Sequence, residues 1–173
     1  MRISDYFFVD AKKILSPNFS EREKNVDLIV LHSISLPEGE YDNDNVEDLF
    51  MNKLNFDLHS SFQDLRNVKV SAHIYIKRDG TIIQFVPFNK CAWHAGESIF
   101  KGRKNCNEFS IGIEIQGKVD EEYTREQYEN LKKIVDALKN FFQLDDVVAH
   151  SEISPERKKD PGPLFDWSKL DEN

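Results

Sequence analysis

The chain has 173 residues, a formal net charge of −8, 39% hydrophobic residues and 12% aromatic residues, including thirteen phenylalanines. This length and composition describe one folded domain with a real core rather than a disordered segment. The acidic balance argues against non-specific nucleic-acid binding, which needs Lys and Arg clustered over an extended face, and against attachment to an anionic membrane surface.

In chain order, "MRISDYFFVDAKKIL" offers only a short apolar run, broken by Asp5 and Asp10. It lacks the apolar stretch of a secretion signal, and no later run is long enough to span a bilayer. With only Cys91 and Cys106, a secreted disulfide scaffold or a thiolate zinc cluster is not expected, and both cysteines read as reduced thiols. A cytoplasmic location is the expectation from these features.

"NVDLIVLHSIS", residues 25–35, reads as a central strand buried on both faces. The acidic "EGEYDNDNVED" that follows reads as a mobile, solvated loop, and "VEDLFMNKL" as a short helix. "VSAHIYIKRDGTIIQFVP" reads as a hairpin turning at Arg78-Asp79-Gly80. In "FSIGIEIQG", Ile111, Ile113 and Ile115 alternate with Ser110, Gly112 and Glu114, which places Glu114 on the face opposite the isoleucines. Thr124 and Gln127 form a capping box for a helix to about Phe142. Its apolar stripe is Tyr128, Leu131, Ile134, Val135, Leu138, Phe141 and Phe142. "DVVAH" reads as a last strand delivering His150. Strands and helices in this order, with no repeat or linker, define one α/β domain over residues 1–173, its central mixed β-sheet flanked by helices.

Of five histidines, His32 and His150 stand out because each lies where an apolar strand runs out into a polar loop. Asp160 sits ten residues after His150, in a loop restricted by Pro161 and Pro163. Two imidazoles and a carboxylate leave a fourth coordination position open, as in catalytic metal sites, although each could equally be an ordinary structural side chain. Glu114 faces either solvent or a functional cleft, because a buried carboxylate among isoleucines needs a compensating role. The segment "HSEISPERKKDPGP" gathers Arg157, Lys158 and Lys159 between His150 and Asp160, a local positive patch on an acidic chain.

"LHSISLP", "VSAHIYIKRDGTIIQFVPF", "AWHAG", "NEFSIGIEIQG" and "HSEISPERKKDPGPLFDW" occur in the order and spacing of one family. Together they resemble the AmpD type of N-acetylmuramoyl-L-alanine amidase, whose wider family includes T7 lysozyme and peptidoglycan recognition proteins. The resemblance runs from "FFVDAKKILSPNF" to "FDW". It implies one Zn²⁺ per chain on His32, His150 and Asp160, with Glu114 as general base and Lys158 as a cationic helper at the reacting carbonyl. It casts His73 as a supporting histidine, and Trp93 and His94 as part of the substrate cleft wall. The implied substrate is an anhydro-muramyl peptide, cleaved at the lactyl–L-alanine amide by a monomeric cytoplasmic enzyme.

Two departures concern substrate binding. Ser33 stands where the branch commonly has Asn. Lys69 and Asn105 stand where arginines would hold the carboxylates of the peptide stem; Lys69 keeps the charge but not the bidentate fork, and Arg103 or Lys104 could substitute at the second position. The competing expectations are a non-catalytic peptidoglycan-binding module and a regulatory protein that uses the cleft for a partner. The complete ligand set, Glu114 and Lys158 favour an active enzyme.

Overall fold

Residues 1–171 are described by the computed structural model. Six strands form the main sheet: β1 (Lys12–Lys13), β2 (Leu28–Ile34), β3 (Ile74–Ile76), β4 (Ile82–Gln84), β5 (Ser110–Gln116) and β6 (Asp146–Ala149). Their spatial order is β6-β2-β5-β3-β4-β1. Strand β2 pairs in parallel with β6 and β5, and β5 in parallel with β3, while β3 and β4 form the antiparallel hairpin. The central strands β2 and β5 are buried on both faces, which is why their sequences read as nearly continuous apolar runs.

Register positions the chemistry. Leu31 lies beside Ala149 on one side and Ile113 on the other, and the next row pairs His32 with Glu114. His150 follows Ala149 directly. Three separate segments therefore bring His150, His32 and Glu114 to one edge of the sheet, at the carboxyl ends of parallel strands.

Helix α2 (Arg125–Phe142) covers one face, as the periodicity predicts. Thr124 Oγ1 accepts from the Gln127 N–H at 3.1 Å, and Gln127 Oε1 accepts from the Thr124 N–H at 3.0 Å, which completes the capping box. Leu131, Ile134, Val135 and Leu138 pack against the sheet isoleucines, each buried side chain worth about 1.5–3 kcal/mol. Phe141 departs from the expected stripe: it is 45% exposed and meets Tyr6 and Phe142 edge-on instead.

On the other face, α1 (Asn45–Phe50) contributes Val46, Leu49 and Phe50 to a second core with Phe62, Tyr75 and Phe85. This helix is shorter than its apolar pattern suggests, and Met51 is its C-cap. The acidic loop before it is tied down rather than mobile. Lys77 Nζ reaches Asp44 and Glu47, Gln116 Nε2 donates to Tyr41 O, and the Arg78 guanidinium lies over the Tyr41 ring. Cations from the β3–β4 hairpin thus hold a segment whose composition alone reads as solvated.

The strand "DVVAH" ends one residue early, and His150 opens the short helix α3 (His150–Ile153). A last helix, α4 (Ser168–Asp171), packs on α2. Several two- and three-residue pairings escape sequence periodicity, among them Phe19–Glu21 against Lys90–Ala92; stretches this short show no period. Cys91 and Cys106 are buried free thiols, as expected. No helix among the described residues is long and apolar enough to cross a membrane.

Candidate metal centre

His32 is 1% exposed, His150 3% and Asp160 9%. The Nδ1 atoms of His32 and His150 lie 2.8 Å apart, and Asp160 Oδ2 is 3.0 Å from His150 Nδ1 and 3.4 Å from His32 Nδ1. Three donor atoms from three segments converge on one point. Tetrahedral Zn²⁺ with ordinary bond lengths spaces its ligand atoms about 3.3 Å apart, so the cluster fits such an ion with small adjustments. Two ring nitrogens that meet at 2.8 Å also need a cation or a proton between them to avoid lone-pair repulsion.

The loop carrying Asp160 is held from both sides. Asp160 O accepts from the Ser151 N–H at 3.1 Å, and the Tyr123 hydroxyl donates to Pro161 O at 2.7 Å. Gly162 has φ +102°, and a Cβ there would lie 2.1 Å from Val119 O, so only glycine lets the loop cross this backbone.

The electrostatics match a cation site. Burial lowers the His32 pKa to about 4, the hydrogen bond to Asp160 offsetting only part of that, so the ring is neutral and able to ligate near pH 7. Burial alone would raise the Asp160 carboxyl, but the contacts from His150 and His32 overcome it and hold Asp160 ionised well below the usual carboxylate range.

Glu114 is 8% exposed, with Oε1 4.0 Å from His32 Nδ1. Its Oε2 is a buried acceptor without a hydrogen-bond partner. Burial pushes its pKa well above the ordinary value, the Asp160 charge adds to that, and Lys158 opposes it. A carboxyl raised by burial beside a cluster of possible metal ligands is of the kind that serves in proton transfer. Lys158 is half-buried, its backbone N–H donates to Ser154 O at 2.9 Å, and its charge is felt by both Glu114 and His32.

The remaining sequence-predicted residues are dispersed. His94 is not a cleft-wall residue: it is 8% exposed and stands behind His32, with Nδ1 2.9 Å from His32 Nε2. A histidine beside a tryptophan carries no signal for which of the two faces solvent. Trp93 is half-buried, and its Nε1 donates to Ser20 Oγ at 3.4 Å. Ser33 lies on the strand face opposite His32, beside the Tyr123 hydroxyl. Lys69 is exposed, in a concavity with Leu54, Phe56 and Arg66 that includes no residue of the metal cluster. Asn105 is exposed at a left-handed turn with φ 61°. His73 is the supporting residue expected, accepting the Gly112 N–H on Nδ1 at 3.0 Å. His59 caps a 3₁₀ turn over Ser60–Leu65, away from this chemistry. Arg157, one of the three cations of the positive patch, donates to Ala95 O and Glu97 O. Sequence reasoning also gave no role to Ser110 and Asn107, although both lie within "NEFSIGIEIQG".

A two-histidine, one-carboxylate cluster flanked by a raised carboxyl and a lysine, at the carboxyl end of a mixed sheet, has the make-up of a metal-assisted hydrolase. The profile of the N-acetylmuramoyl-L-alanine amidase family matches residues 22–163, and the chain belongs to that family. It is 42% identical to the 1,6-anhydro-N-acetylmuramyl-L-alanine amidase AmpD of Enterobacter cloacae, over 98% of this chain and 93% of the relative. The crystal structure of a selenomethionine AmpD derivative superimposes with a TM-score of 0.97 at 40% identity, covering 99% of this chain and 98% of the other. A complex of Escherichia coli AmiD with anhydro-N-acetylmuramic acid-L-Ala-D-gamma-Glu-L-Lys gives a TM-score of 0.63 at 27% identity, over 84% of this chain and 56% of that one. The mixed-sheet fold and the amidase activity expected from sequence both stand.

Proposed function

We propose that the chain hydrolyses the amide between 1,6-anhydro-N-acetylmuramic acid and L-alanine in muramyl peptides, as a monomeric cytoplasmic enzyme recycling wall fragments. The observation that carries this is the row His150, His32 and Glu114, with Asp160 closing the metal cluster. The AmpD relatives and the AmiD substrate complex support the choice of substrate.

His32, His150 and Asp160 would hold one Zn²⁺, which when bound polarises a carbonyl and makes water more acidic. Two neutral imidazoles and one carboxylate leave a net positive site, favourable to the oxyanion that develops as an amide is attacked. Glu114 Oε2 accepts the proton of the attacking water and delivers it to the alanine nitrogen as that nitrogen leaves. Lys158 supplies positive charge beside the oxyanion. Contacts of Ser33, Lys69, Trp93 and Asn105 with the sugar or stem peptide complete the proposal.

The test is incubation of Zn²⁺-replete protein with a defined anhydro-muramyl tripeptide, alongside metal analysis. Release of free stem tripeptide and anhydro-muramic acid, with zinc near one per chain, is the expected result. Intact substrate at full zinc content would sink the proposal and leave a binding module in its place.

A further inference from the structure

The orientation of both ligand imidazoles follows from hydrogen bonds that can run in only one direction. The first series begins at a backbone carbonyl. Cys106 O can only accept, so the Ser110 hydroxyl, 2.6 Å away, points its proton there. The Ser110 oxygen then offers only lone pairs to His94 Nε2 at 3.2 Å, and that nitrogen must carry the proton. The buried His94 ring meets Ser110 and His32 but no carboxylate, so with its one N–H on Nε2 its Nδ1 is left as an acceptor. His32 Nε2, 2.9 Å from it, must therefore be the donor. The remaining lone pair of His32 is on Nδ1, the atom that faces His150 and Asp160.

A second carbonyl acts on the other ring. Ala95 O lies 3.2 Å from His150 Nε2 and can only accept, so His150 donates from Nε2 and Nδ1 is the nitrogen left for a metal. Both acceptors, His94 and Ala95 O, belong to the "WHAG" segment, and that segment is clamped. Asn107 Oδ1 accepts the backbone N–H groups of His94 and Ala95 at 3.1 and 2.8 Å. The Arg157 guanidinium donates to Ala95 O and Glu97 O, each at 3.0 Å. Gly112 makes the space: a Cβ there would lie 2.3 Å from His94 Cγ.

We infer that His94, backed by Ser110, is a positioning residue that fixes the tautomer of His32, and that the Ala95 carbonyl, clamped by Asn107 and Arg157, does the same for His150. Both rings thus turn Nδ1, rather than Nε2, toward a divalent cation. This rests on the metal-site reading of the cluster but not on any substrate. Partners behind ligating histidines typically change metal affinity by about 10–100-fold when removed.

Two measurements test it. Long-range ¹H–¹⁵N spectra of the intact protein loaded with Zn²⁺ should show His32, His94 and His150 protonated on Nε2. A proton on Nδ1 of His32 or His94 would overturn the inference without need of a variant. Competition with a chromophoric chelator should then show Zn²⁺ binding weakened about 10–100-fold in His94→Ala. His94→Asn, whose side-chain oxygen can stand where Nδ1 was, should recover most of that loss. Unchanged Zn²⁺ affinity in a folded His94→Ala protein would also overturn it. Parent protein that shows these tautomers and binds Zn²⁺ but leaves muramyl peptide intact would support this inference and sink the proposed function.

Discussion

Glu114 shows how a single side chain becomes legible. Strict alternation with three isoleucines put it on the other face of its strand, and only two destinations were open there, solvent or a cleft. Burial beside His32 excludes solvent and sets the carboxyl against the histidine cluster. Glu114→Gln should lower kcat by about 10²–10⁴ with zinc content unchanged. Metal analysis beside the rate assay checks this, and loss of zinc together with activity would make Glu114 a ligand instead. For Lys158→Ala, a kcat loss equivalent to about 3 kcal/mol is expected if the ammonium stabilises the oxyanion; a normal kcat would remove it from the mechanism. His94 was misplaced for the converse reason. Its placement depends on the His32 ring in front of it and on Gly112 beneath it, and neither is near it in sequence.

At the scale of elements, three parallel strands deliver the site: His32 and Glu114 lie in the last residues of β2 and β5, and His150 directly follows β6. The loop after α3 matters as much as the strands, because Asp160 must swing back to meet His150. Pro161 and Pro163 announce a rigid loop in the sequence, but the indispensable residue is Gly162, with its positive φ and its contact with Val119 O. Gly162→Ala should therefore weaken Zn²⁺ binding and lower the melting temperature together, measured by chelator competition and thermal unfolding. A variant with parent affinity for Zn²⁺ would show that the loop does not depend on that crossing. The helices were easier to read: a capping box and a long apolar stripe are local signals, and α2 starts where they place it. The short pairings were not, since two or three residues hold no period and form only when tertiary contacts supply a partner.

For the whole molecule, buried neutral histidines link stability to pH. Burial, with the nearby Arg22 charge, holds the His73 pKa down to about 3 from its ordinary 6.5. Between those values the unfolded chain binds a proton that the folded chain refuses. Stability is therefore fully present above about 6.5 and falls as the pH drops toward about 3, by about 1.4 kcal/mol per unit. His73→Asn, which keeps an acceptor for the Gly112 N–H, should be less stable near neutrality yet lose less stability on acidification. Urea unfolding at a series of pH values gives both slopes, and equal slopes would exclude His73 as the source.

The sequence by itself determined the main strands, the long helix, the hairpin and the residue types for a metal site, because these depend on local periodicity and on motifs whose side chains carry the chemistry. It also marked His32, His150, Asp160 and Glu114 as the residues to watch. Only the tertiary structure decided that Ala149, Leu31 and Ile113 share a row, so that the next positions converge, and that the acidic loop is pinned by Lys77 and Arg78. It alone decided that His94 and the Ala95 carbonyl stand behind the ligands. Register and hydrogen-bond direction relate residues that are far apart in the chain, and no local pattern records them.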